Sequence, residues 1–183
     1  KTNSWNLYRD GSGSLIPKEY KVIFSPDLII ETTKVCDRAC RGCYAANVIS
    51  ISDSVELYAT KPYLFLNPDT LAKTLSELNA GPITLSLRGG EPTRHPDIIK
   101  LIKIAASFST KLYLETHGRW ALTQNASELL LALARTQTIV KISFDKMHGL
   151  ARQELQAITA RLDSENIPYV VAITEKNHEE FLA

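Results

Sequence analysis

The 183 residues contain three cysteines, all within Cys36-Asp-Arg-Ala-Cys40-Arg-Gly-Cys43. An odd number packed this tightly is no disulfide framework. One thiol is always left over, and neighbours so close cannot staple distant segments. The Cys-x3-Cys-x2-Cys spacing gives the thiols a shared task, metal ligation. Unpaired thiols point to a reducing compartment, with the cytoplasm expected. Three thiolates also leave a coordination position for something else. His117 or another residue would complete a tetrahedral zinc site, and iron with inorganic sulfide is the other option.

Hydrophobic periodicity supplies elements able to position such a loop. Leu28-Ile-Ile-Glu-Thr-Thr33 is a strand that runs straight into the cysteines. Asp69 caps a helix with Leu71, Leu75 and Leu78 at helical spacing, and Gly81-Pro82 stops it. Strand Ile83–Leu87 follows, then a helix opened by Pro96 and carrying Ile98, Ile99, Leu101, Ile102, Ile104 and Ala105. Beyond these lie strand Lys111–Glu115, helix Ser127–Arg135, strand Ile139–Phe144, an amphipathic helix from about Leu150 to Glu165, and strand Tyr169–Ile173. Asn177 and Glu180 form the N-cap box of a further helix. Strands alternating with helices make a repeated βα unit, so the expected class is α/β with a parallel sheet and right-handed crossovers.

In parallel α/β sheets the site lies beyond the carboxyl ends of the strands. Every strand of this chain ends in polar or glycine-rich residues. The three cysteines come after the first strand and Arg88-Gly89-Gly90-Glu91-Pro92 after the second. Thr116-His117-Gly118, Asp145-Lys146-Met147-His148 and Thr174-Glu175-Lys176 come after the third, fourth and fifth.

The cysteine loop after a first βα strand, with Gly89-Gly90-Glu91-Pro92 after the second, resembles the radical S-adenosylmethionine superfamily. The similarity runs over residues 28–176. Residues 28–183 are then the expected core and residues 1–27 an N-terminal extension, and the segment from Tyr44 to Pro68 has no counterpart. The resemblance implies a partial (β/α) TIM-like barrel of about five to six βα units. It implies a [4Fe-4S] cluster held by Cys36, Cys40 and Cys43, with one iron open to the amino and carboxylate groups of S-adenosyl-L-methionine. In that family the reduced cluster cleaves the sulfonium to a 5′-deoxyadenosyl radical, which abstracts hydrogen. The protein holds the sulfonium against the cluster and excludes water and oxygen.

Site residues carry over position by position. Gly89 and Gly90 let backbone approach the methionine end, and Glu91 accepts from its ammonium. Asp145 accepts from ribose hydroxyls, with Ser143 on the same strand face; a helix-capping role is the alternative for Asp145. The residue before the third cysteine is often aromatic in the family and is Gly42 here, with Tyr44 just after Cys43. A backbone carbonyl at Gly42 still reaches the adenine amino group. Thr116 and Thr174, at the third and fifth strand ends, are the remaining expected cofactor contacts. His117 and His148 are the rim candidates for acting on the substrate, and Arg88, Arg119 and Trp120 lie beside them.

Composition narrows the partners. Lys plus Arg is 21 against 20 for Asp plus Glu, a net +1, so no basic field draws nucleic acid. No apolar run reaches the length of a membrane span. The expected partners are a small-molecule or peptide substrate and an external low-potential electron donor. With every cysteine in one motif, these residues supply no ligands for an auxiliary cluster. Two alternatives stay open: an activase that abstracts hydrogen from a glycine loop of a partner protein, and a non-catalytic zinc or iron–sulfur module. The chain starts at Lys1 and its one methionine is Met147, so trimmed ends are expected, with a sixth strand to follow the last helix.

Overall fold

The computed structural model describes residues 5–9, 15–16, 26–38, 40, 43, 49–50, 54–78, 83–145 and 147–173. The strands are β1 (Trp5–Arg9), β2 (Leu15–Ile16), β3 (Leu28–Glu31), β4 (Val35–Cys36), β5 (Ile49–Ser50), β6 (Ile83–Arg88), β7 (Ser109–Thr116), β8 (Ile139–Ser143) and β9 (Tyr169–Ile173). The helices are α1 (Ser54–Thr60), α2 (Pro68–Glu77), α3 (Ile98–Phe108), α4 (Ser127–Thr136) and α5 (Arg152–Ser164).

The fold is mixed α/β around a parallel five-strand sheet, β3-β6-β7-β8-β9, that is not closed. Its strands are neighbours in the order they occur in the chain, so the right-handed connections all cross on one face. One core records this. Leu85, Leu87, Leu112, Leu114, Val140 and Ile142 from the strands pack with Leu71, Leu101, Leu130, Leu133, Ile158 and Leu162 from α2 to α5. Burying a side chain of this size stabilises the fold by about 1.5–3 kcal/mol.

Several expected boundaries shift for local reasons. The cap of α2 is Asn67, whose Oδ1 accepts from the Asp69 and Thr70 amides at 2.8 and 3.2 Å, with Pro68 opening the helix; Asp69 is already inside it. The first parallel strand ends at Glu31. Thr33 then bridges to Phe65, and Val35–Cys36 pairs with Ile49–Ser50 as a separate two-strand ribbon. Gly81-Pro82 and the Asn177–Glu180 box lie outside the described residues.

The long stretch after the cysteines contributes α1 and a short turn that build a satellite core of Val35, Leu57, Leu64 and Phe65 with Tyr58 against it. It is a packed flap holding the strand that ends in Cys36. The N-terminal extension joins the main sheet. β1 runs antiparallel to β9, with Trp5 opposite Ile173 and Leu7 opposite Val171, and β2 pairs with β1. The edge of β9, expected to face a sixth parallel strand, is thus already paired. An open edge accepts whichever segment reaches it, and an antiparallel partner needs no crossover helix. Among the described residues no helix is long and apolar enough to cross a membrane.

Candidate functional site

The segment leading to Cys36 is seated directly on the glycine turn. The Thr32 amide donates to the Arg88 carbonyl at 2.7 Å, the Gly90 amide to Thr33 O at 2.8 Å and the Glu91 amide to Val35 O at 2.8 Å. This contact explains both glycines. A Cβ at Gly89 would stand 2.4 Å from Thr33 O, and one at Gly90 2.3 Å from Val35 O and 3.2 Å from Cys36 Cβ. The glycines do admit a close backbone approach, and the backbone nearest them is the chain's own.

Glu91 is buried and fully engaged. Its Oε1 accepts from the Thr93 amide and hydroxyl at 3.1 and 2.7 Å and from Thr116 Oγ1 at 2.8 Å; its Oε2 accepts from the His117 amide at 3.2 Å. Thr116 likewise accepts the Gly118 amide. Both residues stand at the rim as expected, with their side-chain polar atoms spent on holding the ends of β6 and β7 together.

His117 connects this turn to the cysteine loop. Its Nδ1 accepts from the Arg119 amide at 3.1 Å, which assigns the proton of the neutral ring to Nε2. Nε2 faces Asp37 Oδ1 at 3.0 Å and Glu91 Oε2 at 3.3 Å. Asp37 Oδ2 accepts from Arg94 at 2.6 Å. Burial works against the imidazolium, but the Glu91 charge and the Asp37 hydrogen bond and charge outweigh it, so the His117 pKa is raised above 6.5. Asp37 is held well below the carboxylate range, by His117 first, against burial, and then by Arg94. Asp37, a spacer residue of the cysteine motif, and Arg94 enter this network without having been expected there, and Arg119 joins it through its amide.

The fourth strand end reaches the same place. Asp145 Oδ1 accepts from the His148 amide at 2.9 Å and contacts His148 Nδ1 at 2.7 Å, whereas Oδ2 is buried without a hydrogen-bond partner. Burial raises the Asp145 pKa, but the His148 bonds prevail and lower it. Arg119 donates to Gly149 O at 2.6 Å and to Glu154, and Arg38 reaches the His148 carbonyl at 3.5 Å. Cys40 feels this neighbourhood. Its thiol is raised by burial and then by Cys43 and Asp145, and lowered by Arg38 and Arg119. Ser143 is half-buried on the face away from the helices.

Burial pushes the Cys36 thiol up to about 11, against a bond from the Arg38 amide to its Sγ, with Glu91, Asp37 and Cys40 adding to the rise. A cation held by these thiols would release their protons on binding. Among the described residues no group of three or more His, Cys, Asp or Glu side chains converges as a finished metal site. Gly42, Tyr44 and Thr174 lie outside the described residues.

Comparison with protein-family models finds no match, and comparison with curated proteins finds no relative. The geometry stands alone.

Because Asp37 is the side chain by which the cysteine loop grips His117, Asp37→Asn should lower the His117 pKa from its raised value, as read by NMR titration of the ring. The linkage has a definite sign. Stability from a raised histidine is present below about 6.5 and fades as pH rises through the folded value. That slope should flatten in Asp37→Asn. An unchanged His117 titration would remove Asp37 from the network.

Proposed function

We propose that the chain is a radical S-adenosylmethionine enzyme on an open partial (β/α) barrel, acting on a small-molecule or peptide substrate with electrons from an external low-potential donor. One observation carries this: the segment running into Cys36 accepts the Gly90 amide at Thr33 O and the Glu91 amide at Val35 O, so the two motifs are joined through the backbone. Sequential strand order with α2 to α5 on one face supports the barrel. The reading as a zinc module completed by His117 is disfavoured, since both ring nitrogens are engaged within the chain.

The donor set suits an iron–sulfur cluster held by Cys36, Cys40 and Cys43. Bound there, the cluster would pass one electron into the sulfonium of S-adenosylmethionine and break a carbon–sulfur bond. The chain's residues do the holding. The Arg38 amide stabilises charge on Cys36 Sγ, and Asp37, gripped by Arg94 and His117, fixes the loop. Asp145 Oδ2, buried and unpartnered, has the acceptor capacity for a ribose hydroxyl.

Anaerobically reconstituted protein with a strong reductant and S-adenosylmethionine should release 5′-deoxyadenosine and methionine slowly without substrate. A loaded, reduced protein that binds S-adenosylmethionine and never cleaves it would overturn the proposal. Asp145→Ala separates the two roles of that residue. Losing a hydrogen bond to a charged group weakens cofactor affinity on the order of tenfold or more. The helix that follows is capped at Ala151, so Asp145 holds a turn rather than a helix end, and loss of the bond from the His148 amide to Oδ1 lowers stability by about 1 kcal/mol. Both effects are expected, and unchanged affinity with a lowered melting temperature would leave Asp145 with the turn contact alone.

A further inference from the structure

The parallel strands have two unlike faces. Leu85, Leu87, Leu112, Leu114, Val140 and Ile142 sit in the apolar core on the helix side. Strand alternation sends the residues between them to the other face, and there they are Ser86, Tyr113, Glu115, Lys141 and Ser143. Parallel strands buried on both sides ordinarily read as continuous apolar runs, and interior layers of (β/α) barrels are dominated by branched apolar side chains. This face departs from both patterns.

Register gathers its charges into one row. Glu31 lies opposite Arg88. Arg88 follows Leu87, which pairs with Leu114, so it falls opposite Glu115. Glu115 in turn pairs with Lys141. Sign alternates across four adjacent strands. Lys141 Nζ donates to Glu115 Oε2 at 3.0 Å and Ser86 Oγ to Oε1 at 2.6 Å, with the Lys141 and Glu115 side chains only 11% and 18% exposed. Desolvating two charges this far tends to exceed their attraction, so a purely structural face is served as well by apolar residues. Ser143 lies two residues past Lys141, about 7 Å nearer the rim on the same face, so the row sits one layer beneath the Asp145 end of the site.

We propose that this row binds the charged end of the substrate and that the substrate is a free amino acid, its carboxylate taken by Lys141 and Arg88 and its ammonium by Glu115. This rests on reading the rim above as the S-adenosylmethionine site. An anion flanked by cations on both neighbouring strands repels a simple anion at Glu115 and a simple cation at its neighbours. A zwitterion is complementary in sign to all three, and the strand spacing of about 4.8 Å matches charges carried on one small molecule.

The test is calorimetry on anaerobically reconstituted protein with the protein L-amino acids, their C-terminal amides and their N-acetyl derivatives. At least one free amino acid should bind, with its amide and its N-acetyl form each at least tenfold weaker. Glu115→Gln should erase the penalty for N-acetylation and Lys141→Met the penalty for amidation, with iron content and S-adenosylmethionine affinity unchanged. The double variant, which leaves no lone charge in the pair, should keep the wild-type circular dichroism and still lose amino-acid binding. No binding by any amino acid in protein that holds iron and cofactor would overturn the row, as would undiminished binding in the double variant. A parallel loss of S-adenosylmethionine affinity would also overturn it, by assigning these charges to the cofactor's own methionine end. Charge-dependent amino-acid binding in protein that takes up no iron would uphold the row and remove the cofactor reading.

Discussion

Alanine in place of Cys36, Cys40 or Cys43 is expected to leave the anaerobically reconstituted protein without its cluster, from about four irons per chain to near none. The chain has no fourth thiol to substitute for a missing ligand. Iron and acid-labile sulfide should fall together in each variant, with the visible absorbance. Far-UV circular dichroism should barely change, because the three cysteines are only partly buried and make no contribution to the main core. A full four-iron cluster surviving in all three variants would sink the assignment. Zinc without sulfide in the wild type would favour a binding module instead.

The second large effect is expected at Gly90, where the backbone is not in the left-handed region and the cost of a side chain is steric. In Gly90→Ala the new Cβ meets Val35 O at 2.3 Å and Val35 C at 2.7 Å. Neither is the movable end of a side chain. Relief requires pushing back the strand that carries Cys36, which strains the amide bonds to Thr33 and Val35. Overpacking of this kind costs about 3 kcal/mol, a drop of roughly 6–12 °C in melting temperature for a domain of this size. Iron uptake should fall as well, since Cys36 moves with the strand. Gly149→Ala is the control: its φ of +55° is unfavourable, but the nearest atom is 3.8 Å away, so it should cost about 1 kcal/mol and leave iron uptake intact. Wild-type stability and iron content in Gly90→Ala would show that the two motifs are not welded together.

The contrast between these glycines shows what the sequence makes legible. The alternation of strands and helices, the five parallel strands and the polar rim could all be read from hydrophobic period and turn residues, because each depends on residues near one another in the chain. That Gly89-Gly90 would pack against the chain's own backbone was not legible, since Thr33 and Val35 lie more than fifty residues away. The same distance hid the roles of Asp37 and Arg94. Asp37 stands in the cysteine motif as a spacer and Arg94 just past the glycine turn, and each acquires its role only when β6 and β7 bring Glu91 and His117 beside the cysteine loop. Asn67 was displaced by Asp69 as the expected cap because both are good caps two residues apart, and Pro68, a favoured first helical residue, decides between them. The charged row on the helix-free face follows from alternation plus register, and only alternation can be read from one strand at a time.

The antiparallel strand at the edge of β9 bears on how the molecule comes together. Its pairing of Trp5–Leu7 with Val171–Ile173 joins residues separated by nearly the whole described length, whereas β7, β8 and β9 are each reached from their preceding parallel neighbour through one α-helix. Closing so long a loop is entropically the most demanding pairing in the sheet. The helix-connected strands are therefore the ones to consolidate first, and β1 the one to arrive last. Until it docks, β9 presents a row of unsatisfied amides and carbonyls, a template for a second chain. The N-terminal strand acts as a guard, converting an adhesive border into a finished one, and protein deprived of residues 5–9 is expected to self-associate during refolding before it shows any loss in the core.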